Sequence, residues 1–283
     1  ASGKGILLSY LVGFETACSI GSGLSESYFD DLGWHPTGPL GALGSASTAS
    51  SILKRNPEQA SVALALAASQ ASGLRQNFGT MTKPFHPGLA CKNGGLAAQL
   101  ASAGFTADQN IFEGRFGFLR AFSGGTDYSP ANILESLKET NHMMESGVEI
   151  KKYPCCGSNH RSLDSLLSIL NSNVLDFNDI DEVEIDNFSS ISHVLLYPRP
   201  TYGFQGKFSI HYNVATALVD KKIDMASFND ENLDRSEYIE AVDKVDIKIN
   251  SEWSSGRDGM MVSNPVKITL KDGTTLEKDT KRN

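Results

Sequence analysis

The chain has 283 residues, 40% of them hydrophobic and 20% charged, which is enough to bury a full core and to form two domains or lobes. A formal net charge of −8 and a pI near 5.3 exclude a nucleic-acid-binding surface of clustered Lys and Arg, although a local basic patch can still hold an acidic small molecule. The four cysteines (Cys18, Cys91, Cys155 and the adjacent Cys156) make neither a disulfide framework nor a CxxC zinc pattern, so no metal and a reducing cytoplasm are expected.

Residues 3–20, KGILLSYLVGFETACSIG, carry apolar side chains at helical spacing from the outset, with no loop or cap ahead of them. The expectation is therefore an internal fragment of a longer protein. No basic segment with a small-residue cleavage site precedes this stretch, and no uncharged apolar run reaches about eighteen residues, so neither a signal peptide nor a membrane span is expected. Segments 41–54, 58–73 and 89–103 are rich in Ala, Ser, Leu and Gly and read as closely packed helices. NPEQA at 56–60 supplies an N-cap in Asn56, a first-position Pro57 and an acidic first turn in Glu58. The breaks carry the unusual residues: GWHPTGP at 33–39, NFGTMTKPFHPG at 77–88 and EGRFGFLRAFSGG at 113–125.

From about residue 147 the pattern changes. GVEIKKYP, DEVEIDNF, VDIKIN and VKITLKDG alternate as half-buried strands, with a turn at KDGTT, while 159–172 and 208–221 read as helices. The expected architecture is mainly α with an α+β lid: a large all-helical domain over 1–146, its N-terminal part missing, and a smaller α+β domain over 147–283.

Three stretches could carry chemistry. His35 lies in a Gly/Pro turn just ahead of a helix, where its ring and the following backbone N–H groups could meet an anion together; equally, it could only hydrogen-bond its own loop. Thr80, Thr82, Lys83 and His86 fall within seven residues stiffened by Pro84 and Pro87, ahead of a helix expected to start near Gly88. A lysine beside a helix N-terminus suits a carboxylate clamp, against the bland alternative of a solvated surface lysine. In KKYPCCGSNHR, residues 151–161, Lys151, Lys152, Cys155, Cys156 and His160 lie where a strand is expected to turn into a helix. A thiol there is either an acid/base of lowered pKa or a small buried hydrophobe. No GxGxxG, GxxxxGK[ST] or GxSxG motif is present, so nucleotide binding and serine hydrolysis lack support.

GWHPTGPLGALG, AASQASGLRQNFGTMTKPFHPGLACKNG, KKYPCCGSNHRSLDSLL and LLYPRPTYGFQGKFSIHYNVATALVD, in this order, resemble the corresponding stretches of the MmgE/PrpD family, which includes 2-methylcitrate dehydratases, cis-aconitate decarboxylases and iminodisuccinate epimerases. The resemblance implies a helical domain with an α+β lid, usually a homodimer, with the active site in the cleft between them and no cofactor. It matches His35 and Lys83 to an active-site histidine and lysine, Lys151 to a basic residue on the strand leading into the lid, and Tyr197 to a lid tyrosine. Where methylcitrate dehydratases, with YPAEFH, offer a histidine, this chain offers Cys156 or His160, and Cys156 is a candidate second acid/base. Thr37, Thr80, Thr82, His86 and His160 complete the candidate set as substrate-binding residues. The family's HxxDFDD segment lies upstream of this chain. The expected function is a cofactor-independent lyase acting on a small di- or tricarboxylate, with an epimerase or a catalytically silent carboxylate binder as alternatives.

Overall fold

A computed structural model describes residues 1–250 and 264–280. The chain divides into two compact units, Ala1–Asn77 with Met81–Glu149, and Phe78–Thr80 with Ile150–Asn283. The first is built from helices α1 (Gly3–Ser22), α2 (Pro39–Ile52), α3 (Pro57–Ser69), α4 (Thr82–Ser102) and α5 (Pro130–Glu139), with a short turn of helix at Phe118–Phe122. Helix α2 is central, packing on α1, α3 and α4. Small side chains set that arrangement: a Cβ on Gly13 of α1 would come within 1.9 Å of Thr48 Oγ1 and 2.6 Å of the Gly44 carbonyl of α2. Leu43, Ala46, Ala67 and Ala97 from three helices then close around Phe118, Leu119 and Phe122, which supply the bulk that alanine lacks.

Helix α3 starts as its sequence dictates. Asn56 accepts from the Gln59 N–H at 2.8 Å, the Gln59 side chain accepts in return from the Asn56 N–H, and Pro57 occupies the first turn. Two expectations are corrected nearby. Helix α1 does have a cap, since Ser2 Oγ accepts from the Gly5 N–H at 3.2 Å. Helix α4 begins at Thr82 and not near Gly88, so TKPFHP is its opening and not a break. Pro84 sits in the first turn, whose N–H groups have no intrahelical acceptor, and costs no bond there; Pro87 forgoes one bond, to the Lys83 carbonyl. Helix α1 is, by length and composition alone, long and apolar enough to cross a membrane, a test that the core helix of a globular protein also passes. It buries Ser9, Gly13, Ser19 and Ile20, packs on α2 and α5, and exposes Ile6, Leu7 and Leu8.

The second unit carries a mixed sheet in the order β2-β1-β3-β4. Its strands are β1 (Ile180–Phe188), β2 (Val245–Asn250), β3 (Val266–Leu270) and β4 (Thr275–Lys278). β1 pairs in parallel with β2 and antiparallel with β3, which forms a hairpin with β4. Helices α6 (His160–Ser172), α7 (Ile210–Asp220) and α8 (Ser236–Asp243) accompany the sheet. Leu163, Leu166, Ile169 and Leu170 line one face of α6, which packs on α7, β3 and β4. The chain at 147–154, expected to be a strand, is irregular, and Ile150 is almost fully exposed. Alternation alone does not make a strand without a partner, and among the described residues this stretch pairs with no strand of the sheet.

Candidate active site

The first cluster belongs to the helical unit. Its scaffold is a pair of crossed turns: the His35 N–H donates to the Gly73 carbonyl at 3.0 Å and the Arg75 N–H to the Gly33 carbonyl at 2.8 Å. Trp34 anchors the same turn by packing on Phe122, ring centroids 4.5 Å apart. Gly73 has a φ of +133°, and a Cβ there would lie 3.4 Å from the His86 ring, so a residue with a side chain would strain the backbone beneath that ring. His86 reaches in from the second turn of α4, and its Nδ1 lies 2.9 Å from His35 Nδ1. Both rings are buried, at 6% and 4% exposure. His35 is held down to about 4, first by burial and then by the charges of Lys83 and of His86. Burial and Lys83 lower His86 as well.

Lys83 and Thr82, both half-buried, sit on the first turn of α4, one turn ahead of His86. Thr37 follows His35 in its turn and is exposed. The structure thus brings His35, Lys83 and His86 together. Sequence had offered His86 as a substrate-binding residue; here it stands against the Nδ1 edge of His35.

The second cluster belongs to the α+β unit. Lys151 Nζ donates to the Cys155 carbonyl at 3.0 Å, and Lys207 Nζ donates to the adjacent Pro154 carbonyl at 2.9 Å. The Cys156 N–H donates to the Lys207 carbonyl at 2.9 Å, tying the turn to the segment before α7. Among the described residues neither lysine faces a carboxylate at salt-bridge distance, so the two cations lie on carbonyl dipoles alone. Burial lowers Lys207, and Lys151 adds to that. Lys207 escaped the reading of the sequence; a single lysine in the apolar run YGFQGKFSI was the available signal.

Cys155 is buried and its thiol is pushed up to about 12 by burial, which removes it as a thiolate near neutrality. Cys156 is half-buried, with Sγ 3.7 Å from Ser158 Oγ. His160 opens α6, its ring edge-on to Tyr153 at 5.2 Å, and burial followed by the Lys151 charge lowers it. Tyr197 donates its hydroxyl to the Phe78 carbonyl at 2.7 Å, so the segment 78–80 that carries Thr80 packs within this unit, and burial raises the phenol. Among the described residues no group of three His, Cys, Asp or Glu converges as a metal site.

A buried imidazole pair, lowered first by burial and then by Lys83, suits proton transfer on an anionic molecule, and among the described residues no carboxylate lies at salt-bridge distance from the Lys151 and Lys207 pair. Residues 1–131 match the MmgE/PrpD N-terminal domain and residues 153–283 the MmgE/PrpD C-terminal domain. The chain belongs to the MmgE/PrpD family. It is 29% identical over 292 residues to a cis-aconitate decarboxylase of Aspergillus terreus, an alignment that covers 97% of this chain and 59% of that protein. It is 27% identical over 283 residues to a cis-aconitate decarboxylase of Homo sapiens, covering 97% of this chain and 57% of that protein. The chain therefore spans less than two thirds of the length of these relatives.

Proposed function

We propose that the protein is a cofactor-independent lyase acting on a small di- or tricarboxylic acid, and that the reaction is the decarboxylation of cis-aconitate or a close analogue. The observation that carries this reading is the buried His35–His86 pair beside Lys83. The names of the relatives support the finer choice.

Decarboxylation breaks a C–COO⁻ bond and leaves its electron pair on the substrate, conjugated through the double bond toward a second carboxylate. CO2 departs, and one proton must then reach carbon. The negative charge needs a cation and the carbon needs a donor. Lys83 serves the first need and His35 the second, through Nε2, because its Nδ1 faces His86. We assign Thr82, on the same turn as Lys83, to orientation, and read Lys151 and Lys207 as an anion-binding pair of the α+β unit in its own right.

A neutral His35 is also suited to abstract a proton, the opening step of a dehydratase or an epimerase. Proton NMR in D2O of the full-length protein, incubated separately with cis-aconitate, 2-methylcitrate, citrate and iminodisuccinate, separates these reactions. Loss of CO2 from cis-aconitate is the expected result. Loss of water would make the protein a dehydratase, and deuterium entry without a leaving group an epimerase. Four unchanged substrates would contradict the lyase reading and favour a silent carboxylate binder.

A further inference from the structure

Tyr197 is bound to a three-residue strap. The chain leaves the helical unit after Asn77, runs through Phe78–Thr80 within the α+β unit, and rejoins the helical unit at Met81. Within the α+β unit the strap is gripped at three points. The Tyr197 hydroxyl donates to the Phe78 carbonyl at 2.7 Å, the buried Phe78 ring packs on Phe208 with centroids 5.2 Å apart, and the Tyr197 ring lies against Gly79. A Cβ on Gly79 would come within 2.5 Å of that ring, and its φ of +82° is one that residues with side chains rarely adopt. A glycine at this position is what lets the ring close down on the strap.

What the strap joins gives the grip its meaning. Just before it, the turn Arg75–Asn77 is tied to the His35 turn by the Arg75 N–H on the Gly33 carbonyl. Just after it comes the first turn of α4, which carries Thr82 and Lys83. Met81 holds the cap position of α4 and makes no side-chain cap bond, so this helix lacks the kind of cap with which Asn56 starts α3. The direction of its first turn is inherited from the residues ahead of it, and Tyr197 fixes those residues.

We propose that Tyr197 is a positioning residue: its hydroxyl and ring clasp Phe78 and Gly79, and the clasp sets, through the chain, the head of α4 that presents Thr82 and Lys83. The inference rests on the polycarboxylate reading above for what Lys83 does. It gives Tyr197 a part in the reaction that passes through Lys83 and not through the phenol itself. The phenol proton is directed at a backbone carbonyl, which is the bond of a clasp and not that of a proton donor to substrate.

Two variants of the full-length protein separate a clasp from a proton-transfer role. Tyr197→Phe keeps the ring and loses the bond, whereas Gly79→Ala keeps the hydroxyl and forces the ring away. Both should let chymotrypsin cut after Phe78 roughly 2- to 10-fold faster than in wild type, because the strap opens more often. Both should also let His35 and His86 titrate at higher pH by NMR, because the Lys83 charge that lowers both rings is held less closely. Neither readout needs a substrate. With cis-aconitate, both variants should raise KM about 3- to 10-fold and lower kcat by no more than about tenfold, with the shape of the pH–rate profile kept. Unchanged cutting or unmoved histidines in both variants would overturn the proposal. So would a loss of about 100-fold or more in kcat, or a lost limb of the pH profile, in Tyr197→Phe alone, which would make the phenol an acid or base. Faster cutting and shifted histidines in a protein that turns over no polycarboxylate would support the clasp and place the failure in the lyase reading.

Discussion

Acid should weaken this fold through His35 in a predictable window. The ring titrates near 6.5 in an unfolded chain and about 4 in the folded one, because it is 6% exposed and lies beside Lys83. A lowered folded value means that the unfolded chain binds the proton first, so stability is complete above about pH 6.5 and falls as pH drops toward 4. Linkage puts the loss at about 2 kcal/mol by pH 5 and about 3 kcal/mol by pH 4 from this residue alone. His86, His160 and His211, also lowered by burial, act in the same direction. Urea unfolding of wild type and His35→Gln at a series of pH values isolates the His35 contribution as the difference between the two curves, since the remaining groups largely cancel. Wild type should lose about 3 kcal/mol more than the variant between pH 7 and pH 4. Parallel curves would show that the ring is not held neutral, and the electrostatic account of the site would fail.

Further outcomes follow from the same contacts. Lys83→Met removes a cation from both rings, so His35 and His86 should titrate at higher pH by NMR, and tricarboxylate binding should weaken; unmoved titrations would exclude Lys83 as a cause. Gly13→Ala drives a Cβ into the Gly44 backbone and should destabilise the helical unit by about 1–3 kcal/mol in denaturant titrations, whereas a neutral effect would show that α1 and α2 can separate at little cost. Iodoacetamide near pH 8 should modify exposed Cys91 well before Cys155, whose thiol is buried and raised to about 12; mass spectrometry that found Cys155 labelled first would contradict the packing around it.

Much of the local structure was legible in the sequence, and the reasons are local. Asn56, Pro57 and Gln59 start a helix by themselves, and KDGTT turns β3 into β4, because caps and turns are decided within a few residues. The prolines of TKPFHP misled because a proline is costly only after the first turn, and where that turn begins is set by packing. GVEIKKYP misled because a strand also needs a neighbour. In the site, His35 and Lys83 stood out by their setting. The contact between His35 and His86 joins residues far apart in sequence, and the approach of Lys207 to the Lys151 turn joins two separate segments. No periodicity or motif connects either pair; only the folded chain does.

The most direct test of the account is the rate of CO2 release from cis-aconitate by the full-length protein and by its His35→Gln variant, with the fold of both checked by circular dichroism. If His35 delivers the proton, the variant should keep its fold and lose roughly 10²–10⁴ in kcat with KM changed little. An unchanged kcat would take His35 out of the mechanism.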